Sequence, residues 1–278
     1  LLGKQNTNRV GKFVRKISGN RLPLWHSFYP KGTKKQTLKV DASLQKVVFF
    51  SSCVNKTFGE NNNSAFDHSL LKTTQRLFNK AGFELEVFKP NNMSCCGQPF
   101  ESKGDFEQAN KQKISLLAEL KQASENGKYA IVSDNASCSL HLKTSQLQNE
   151  QAEVQDLITF IAEQILPKLQ VQKLLEPIAL HITCSASKLN TADALRKIAN
   201  TLTDEVIETD IACCGFAGDK GFTLPELNES ALSQINPATQ KCRFGISHSK
   251  TCEIGLSKNT GVQYQSFVYL LDKLSRGV

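Results

Sequence analysis

The apolar positions of the first half alternate between short runs, which predict buried strands, and longer stretches at helical spacing. The predicted helices end near residues that stop helices, as Gly127 and Pro167 illustrate. The predicted strands are Lys46–Ser51, Phe83–Val87 and Tyr129–Ser133, and the predicted helices are Ser64–Lys80, Asp105–Asn126 and Val154–Leu166.

The second half repeats this order of apolar patterns. Thr223-Leu224-Pro225-Glu226 has the pattern of a capping box and predicts a helix through Ile235. Gln263–Leu274 predicts a last strand and helix. The other predicted elements are the strands Ile178–Thr183, Glu205–Thr209 and Phe244–Ser247 and the helix Ala186–Leu202. Strands that alternate with helices predict an α/β fold with mainly parallel sheets.

A doubled cysteine followed by glycine occurs once in each half, as Cys95-Cys96-Gly97 and Cys213-Cys214-Gly215. Each pair stands between an earlier and a later cysteine. The resulting quartets are Cys53, Cys95, Cys96 and Cys138 in the first half, and Cys184, Cys213, Cys214 and Cys252 in the second. We therefore predict two duplicated lobes, 45–172 and 173–278, which are related by a pseudo-two-fold and preceded by an arm over residues 1–44.

The composition is that of a globular protein, with 40% hydrophobic and 22% charged residues. No apolar run approaches the roughly 18 residues of a membrane-spanning helix, and the N-terminus lacks the pattern of a secretory signal. The net charge of +8 arises in the arm, where residues 1–40 hold ten Lys and Arg residues and no acidic one. The arm shows no sustained apolar period, so a solvated linker, an acidic partner domain and an anionic membrane surface are its alternatives. Nucleic acid is not expected, because no nucleic-acid-binding motif accompanies the charge.

The quartets indicate a metal site, because each cysteine follows a predicted strand and the ends of parallel strands meet at one sheet edge. Four thiols suit a tetrahedral zinc ion or an iron–sulfur cluster. Adjacent cysteines suit one small ion poorly, since their side chains diverge, whereas a cluster presents several metal atoms. An iron–sulfur cluster is therefore favoured, with zinc and metal-free redox thiols as alternatives. Disulfides are not expected, because the nine cysteines are odd in number and no secretory signal precedes them.

Several residues beside the quartets are candidates to support a cluster. The turns at Gly97 and Gly215 leave backbone N–H groups free to donate to sulfur. The side chains that we expect near a cluster, as counter-charges or as a ligand or donor, are Lys103, Lys220 and His181. Cys242 lies outside both quartets and is expected to be a buried or free thiol.

The repeated order of one cysteine, a Cys-Cys-Gly and a further cysteine resembles the cysteine-rich domain found in a heterodisulfide reductase subunit, in glycolate oxidase iron–sulfur subunits and in lactate-utilisation proteins. The resemblance covers about residues 20–278. It is sharpest to the C-terminal part of the bacterial FAD-linked, iron–sulfur D-lactate (D-2-hydroxyacid) dehydrogenases, in the stretches Ser94–Gly104, Cys213–Leu232 and Ser249–Ser257.

This resemblance implies an electron-transfer domain that holds one or two [4Fe–4S] clusters in the quartets. Electrons would pass from FAD, through upstream FAD-binding and ferredoxin-like domains, toward a membrane quinone. The resemblance also implies a cytoplasmic location at the inner face of the membrane and a substrate-oxidising site in an upstream part that this sequence lacks. The alternatives are a zinc-bound or metal-free structural domain and a heterodisulfide-reductase-like thiol–disulfide enzyme.

The sequence departs from the heterodisulfide reductase pattern at two positions. That pattern closes each motif with two cysteines three residues apart, which gives five thiolates for a noncubane cluster. Here Asn135 and Ser249 stand three residues before Cys138 and Cys252. Four thiolates per lobe favour an ordinary [4Fe–4S] cluster and electron relay over disulfide cleavage.

Overall fold

A computed structural model gives the fold and describes residues 4–26, 29–33, 38, 41–59, 69–90, 95–143 and 152–278. The beginning of the helix predicted over Ser64–Lys80 and residue Ser94 of the resembling stretch lie outside the described residues.

Each half of the chain is built on a four-stranded sheet whose neighbouring strands all run parallel. The strands are β1 (Gln45–Phe50), β2 (Phe83–Val87), β3 (Ile131–Ser133), β4 (Val154–Asp156), β5 (Leu169–Val171), β6 (Ile178–Leu180), β7 (Val206–Glu208), β8 (Phe244–Ser247), β9 (Gln263–Ser266) and β10 (Ser275–Gly277). The sheet orders are β2-β1-β3-β4 and β7-β6-β8-β9, so the two lobes share one connectivity. Strands β5 and β10 form a separate antiparallel pair.

Helices connect the strands and carry four of the nine cysteines, Cys53, Cys138, Cys184 and Cys252. They are α1 (Lys4–Ile17), α2 (Cys53–Thr57), α3 (Leu70–Lys80), α4 (Gln98–Glu101), α5 (Phe106–Ala123), α6 (Ala136–Lys143), α7 (Leu157–Phe160), α8 (Cys184–Lys188), α9 (Ala192–Leu202), α10 (Lys220–Thr223), α11 (Pro225–Leu232), α12 (Lys250–Thr260) and α13 (Phe267–Leu274). A π-helical stretch over Ile161–Ile165 and a 3-10 turn over Leu166–Lys168 follow α7.

The two lobes share one hydrophobic core. Buried residues of both sheets belong to a single cluster, in which Phe49 of β1 and Leu180 of β6 are members. Helix α3 packs against α13 across the lobes. At that contact Asp272, which is buried, pairs with Arg76 and with Lys80, whose Nζ lies 2.9 Å from Asp272 Oδ1. The relative position of the lobes is therefore fixed by both apolar packing and ion pairs.

The cysteine-bearing helices of the two lobes also pack against each other. Helix α6 contacts α8, and helix α12 contacts α2, as a pseudo-two-fold requires. The Ser137 and Ser185 hydroxyls lie 3.0 Å apart at the first of these contacts. Both quartets consequently lie close to the boundary between the lobes.

The structure confirms the α/β fold class with two similar, parallel sheets. The helix predicted over Val154–Leu166 is wrong in its first part, because Val154–Asp156 pairs with β3 as the edge strand β4. Three residues are too short to show an alternating pattern, so the strand merges into the apolar run of α7. The lobe boundaries at residues 44 and 172 stay a prediction.

Two predicted helices of the second half differ in their bounds. The helix predicted over Ala186–Leu202 is two helices, α8 and α9, separated at Asn190, whose φ of 58° is left-handed. The capping box is wrong: α11 begins at Pro225, and Leu224 precedes it without a capping side chain. The Thr223 hydroxyl donates instead to the carbonyl oxygen of Lys220, at 3.1 Å.

The arm contains a regular helix that the sequence analysis missed. Helix α1 places Val10, Phe13, Val14 and Ile17 at the spacing of one helical face, and all four are exposed. The intervening Gly, Lys and Arg residues obscured this short apolar period. After α1, Leu24 N donates to the carbonyl oxygen of Phe222, which ties the arm to the second lobe.

Candidate metal centres

In both lobes the cysteines lie beyond the carboxyl ends of the strands. In the first lobe β1 leads directly to Cys53, the first residue of α2, whose N-cap Ser52 accepts from Asn55 N. Strand β3 leads to Cys138, in the first turn of α6. Cys184 and Cys252 occupy the same places in α8 and α12 of the second lobe. The sheet connectivity therefore assembles each quartet from three separate segments of chain.

The first quartet forms a close group of thiols. The Cys96 and Cys138 sulfurs lie 3.4 Å apart, and both side chains are buried. The pKa of Cys95 is raised, first by its hydrogen bond with the Cys96 thiol and then by burial. Burial and the neighbouring Cys95 sulfur raise the pKa of Cys53. The four sulfurs of this lobe thus influence one another directly.

The second quartet repeats this arrangement at closer range. The Cys214 and Cys252 sulfurs lie 2.8 Å apart. A hydrogen bond between Cys184 and Cys213 raises the pKa of Cys184 and lowers the pKa of Cys213. The Cys214 thiol similarly lowers the pKa of Cys252. Protons shared between neighbouring sulfurs are those that a bound metal would displace, because the thiolate is the metal ligand.

A glycine follows each cysteine pair and brings a backbone N–H to sulfur. Gly97 N donates to Cys95 Sγ at 3.2 Å, and Gly215 N donates to Cys213 Sγ at 3.4 Å. Such bonds stabilise a thiolate and tune the reduction potential of a cluster.

These two positions also require glycine for steric reasons. The φ angle of Gly97 is +91°, and a Cβ there would lie 2.3 Å from the carbonyl oxygen of Ala109 on α5. The φ angle of Gly215 is +73°, and a Cβ there would lie 2.5 Å from the carbonyl oxygen of Leu227 on α11. The glycines therefore allow a helix of each lobe to pack closely against its cysteine pair.

Asn135 and Ser249, which replace the cysteines of the heterodisulfide reductase pattern, stand at the starts of the closing helices. Asn135 Oδ1 accepts from Ser137 N at 3.0 Å, at the start of α6. Ser249 is the N-cap residue of α12, and its hydroxyl lies 3.3 Å from that of Thr251.

The loop that carries Cys53 is held by a buried carboxylate. Asp134 accepts from the Ser51 hydroxyl at 2.8 Å and from Ser52 N at 2.7 Å. Asn55 of α2 donates through its side chain to the carbonyl oxygen of Asp134, at 3.2 Å. These bonds hold the end of β1 against the end of β3. They thereby help to set the position of Cys53, which follows β1, relative to Cys138, which follows β3.

His181 lies against the second quartet. It follows β6, is fully buried, and its Nδ1 lies 3.0 Å from the Thr209 hydroxyl oxygen. One ring nitrogen of His181 and the sulfurs of Cys214 and Cys252 all lie within 4.8 Å of one another. The structure thus brings His181 together with two cysteines of the quartet, while its role there stays a prediction.

The two lysines that we predicted as counter-charges are both exposed, and their role beside a cluster stays a prediction. Lys103 pairs with Asp219 across the lobes, at 2.8 Å, and both side chains are largely exposed. Lys220 is exposed at the start of α10. Neither prediction of a role beside a cluster gains support from these positions. Cys242 is buried in a small apolar cluster that also contains Cys214.

Sequence reasoning missed two buried lysines near the quartets. Lys113 is 5% exposed; burial lowers its pKa, whereas the nearby Glu101 and Cys96 raise it. Lys250, two residues before Cys252, forms a buried ion pair with Glu253 at 2.7 Å. Lys113 was detectable, because it lies on the apolar face of α5 with Ala109 and Leu117.

The donor set in each lobe fits a thiolate-bound cluster. Two of the four sulfurs lie within 3.4 Å of each other, a backbone N–H donates to a third, and a buried lysine or ion pair lies nearby. The second lobe additionally brings a ring nitrogen of the buried His181 within 4.8 Å of the Cys214 and Cys252 sulfurs. Soft sulfur ligands of this kind select zinc, copper(I) or iron–sulfur clusters.

Comparison with known proteins connects the two lobes to one domain family. A family model described as a cysteine-rich domain, CCG, matches residues 47–143 and 178–257. A search of curated protein sequences found no match.

Two racemases are among the similar solved structures. An aspartate racemase from Picrophilus torridus shares 8% identity at a TM-score of 0.36, over 82% of this chain and 91% of its own. A glutamate racemase isoform from Bacillus anthracis shares 13% identity at a TM-score of 0.36, and the match covers 83% of this chain and 79% of the racemase. Likenesses of this size say nothing about the chemistry of this chain.

Proposed function

The chain belongs to the CCG cysteine-rich domain family, and from that premise we propose that each lobe holds an iron–sulfur cluster that relays electrons. The family is typical of iron–sulfur and heterodisulfide-reductase-type proteins. Cys53, Cys95, Cys96 and Cys138 would hold the first cluster. Cys184, Cys213, Cys214 and Cys252 would hold the second. Bound there, a cluster would accept and pass on single electrons.

The observation that carries this proposal is the repetition of one sulfur geometry in both lobes. In each lobe a buried pair of sulfurs lies within 3.4 Å, and a glycine N–H donates to the first sulfur of the adjacent cysteine pair. Structural zinc sites usually take cysteines spaced by two to four residues, and the adjacent cysteines of this chain do not match that spacing. A cluster with several iron atoms accepts both, which favours iron–sulfur chemistry over zinc.

The chain's own residues would prepare the sulfurs for such a cluster. The Gly97 and Gly215 N–H groups stabilise thiolates, and Lys113 offsets negative charge beside Cys96. The burial of Cys96, Cys138, Cys214 and Cys252 excludes water from half of each sulfur set.

We further propose that the electrons come from the flavin of a D-lactate or related D-2-hydroxyacid dehydrogenase. The similarity of Cys213–Leu232 and Ser249–Ser257 to that family supports this source. FAD and the substrate-oxidising site would belong to an upstream part of the protein, and a membrane quinone would be the acceptor.

The exposed face of α1 supports an acceptor at the membrane. Within the described part of the chain, no helix is both long and apolar enough to cross a bilayer. Helix α1 instead presents Phe13 and Ile17, which are 65% and 72% exposed, beside the exposed Arg9, Lys12 and Lys16. An apolar stripe flanked by basic residues suits an anionic lipid surface.

Metal analysis of anaerobically purified protein tests the cluster. We expect iron and acid-labile sulfide, with absorption near ~400 nm from sulfur–iron charge transfer. Colourless protein with stoichiometric zinc would contradict the proposal.

Electron relay is tested by reducing the protein and following its reoxidation by a water-soluble quinone. A double variant with Cys95→Ala and Cys213→Ala is the control and should not respond.

A further inference from the structure

His181 has one ring nitrogen beside a hydroxyl group and the other without an oxygen or nitrogen partner in the described part of the chain. The ring is 0% exposed, and Nδ1 lies 3.0 Å from the hydroxyl oxygen of Thr209, which is also buried. Nε2 is buried and forms no hydrogen bond with a nitrogen or oxygen atom of the residues that the structure describes. The polar group that the ring does meet on this side is the Cys252 thiol. Buried polar atoms are nearly always partnered, so an exception of this kind needs a physical reason.

The reason lies in the direction of the ring. A nitrogen of His181 and the sulfurs of Cys214 and Cys252 fall within 4.8 Å of one another, which is the spacing of side chains around a shared metal atom. Because Nδ1 is already engaged by Thr209, the nitrogen available for binding is Nε2.

We propose that His181 Nε2 is a fifth protein ligand of the metal centre held by Cys184, Cys213, Cys214 and Cys252. This inference rests on the proposed function and deepens it. The second lobe then offers five donors, of which one is an uncharged imidazole, and the first lobe offers four thiolates.

The hydrogen bond to Thr209 is the second part of this proposal. A neutral imidazole carries one proton, and a proton on Nδ1 that is donated to Thr209 leaves the lone pair of Nε2 free for metal. Ligating histidines almost always donate their other N–H to a fixed acceptor, which sets the ring orientation. Thr209 is therefore a positioning residue for His181.

The first lobe carries a different residue at the equivalent position. His181 stands three residues before Cys184, and the residue three before Cys53 is Phe50, which is buried. The two centres would consequently differ in their ligand sets and in reduction potential, since the ligands and their surroundings tune the potential of a cluster. Different potentials would give the electrons a direction between the lobes.

Pulsed electron paramagnetic resonance of the second centre tests the ligand. The first quartet is removed by Cys95→Ala and Cys96→Ala, and the remaining cluster is studied in its paramagnetic state with ¹⁴N-histidine or ¹⁵N-histidine. We expect a strong nitrogen coupling that changes with the isotope, as for a directly bound nitrogen. No isotope-dependent coupling, or only the weak coupling of a hydrogen-bonded nitrogen, would overturn the proposal.

Substitutions assign the coupling to one histidine. His181→Phe, which introduces the residue type of the first lobe, should abolish it. His248→Asn is the matched control, because His248 is also buried and near Cys252, but its Nε2 faces Asp156 at 3.4 Å. The coupling should survive in that variant. A coupling that persists in His181→Phe would overturn the assignment.

Thr209→Val tests the positioning residue without touching the ligand. We expect iron to leave the second centre more readily, with an affinity lower by about 10–100-fold, and Thr209→Ser to restore it. Unchanged iron retention in Thr209→Val would remove this part of the proposal.

Iron and sulfide analysis of the unaltered protein distinguishes a failure of the proposed function from a failure of the His181 proposal. Protein that takes up no iron overturns the proposed function, whereas iron without nitrogen coupling overturns only the role of His181.

Discussion

The Cys96 and Cys138 sulfurs lie 3.4 Å apart although 42 residues separate them along the chain. Their counterparts Cys214 and Cys252 lie 2.8 Å apart across 38 residues. In each lobe the first member follows an outer strand and the second opens a helix after an inner one. The same contact, made twice by the same topology, is the structural basis for two similar metal centres.

Gly97→Ala should destabilise the first lobe. The substitution adds a Cβ at a left-handed φ and only 2.3 Å from the carbonyl oxygen of Ala109. Backbone strain and overpacking together should lower the free energy of unfolding by about 3 kcal/mol, measured by urea denaturation.

Gly104→Ala is the matched control for this prediction. Gly104 also has a left-handed φ, of +86°, but nothing lies within 4 Å of a Cβ built there. Gly104→Ala should lower the free energy of unfolding by about 1 kcal/mol, because only the backbone conformation is strained. Equal losses in the two variants would show that the close approach of α5 to Gly97 is unimportant.

The ion pair between His248 and Asp156 should make stability depend on pH. Burial lowers the pKa of His248, but the carboxylates of Asp156, Asp134 and Glu253 together outweigh burial, and the net pKa is raised. A raised folded-state pKa stabilises the fold below the unfolded value of about 6.5 and loses this effect as pH rises through the folded value.

The measurement is the free energy of unfolding from about pH 6 to about pH 9 for the unaltered protein and for His248→Asn. The unaltered protein should exceed His248→Asn in free energy of unfolding by the largest amount near pH 6, and this difference should decrease as the pH rises. An advantage that stays constant, or grows with pH, would contradict the charged pair.

Helix α1 should bind anionic vesicles. Phe13→Ala with Ile17→Ala removes the apolar stripe, and Lys12→Glu with Lys16→Glu reverses two of its flanking charges. Both double variants should lose most of the sedimentation with phosphatidylglycerol vesicles, and the charge variant should lose the salt dependence as well.

Ile114→Ala on α5 is the control for the vesicle experiment, because Ile114 is 45% exposed but lies outside α1. It should bind as the unaltered protein does. Equal binding to purely zwitterionic vesicles, or binding unaffected by the α1 substitutions, would exclude α1 as the membrane contact.

The features that could be predicted from the sequence are those marked by apolar periodicity or by a repeated motif. Strands such as β1 and β8, and the duplicated quartets, follow from apolar runs and from the cysteine spacing. Strand β4 could not be predicted, because its three residues show no alternation and gain their pairing only from β3. The exposed position of Lys103 was also inaccessible, since a recurring Lys-Gly motif does not reveal whether the tertiary fold buries or exposes its lysine.

Iron content measured lobe by lobe tests the central claim most directly. The chain is reconstituted anaerobically, and iron is counted per protein in Cys95→Ala, Cys213→Ala and the control Cys242→Ala, whose thiol is buried outside both quartets. We predict that each of the first two variants loses about half of the iron and that Cys242→Ala loses none. Full iron retention in both Cys95→Ala and Cys213→Ala would contradict the assignment of a cluster to each quartet.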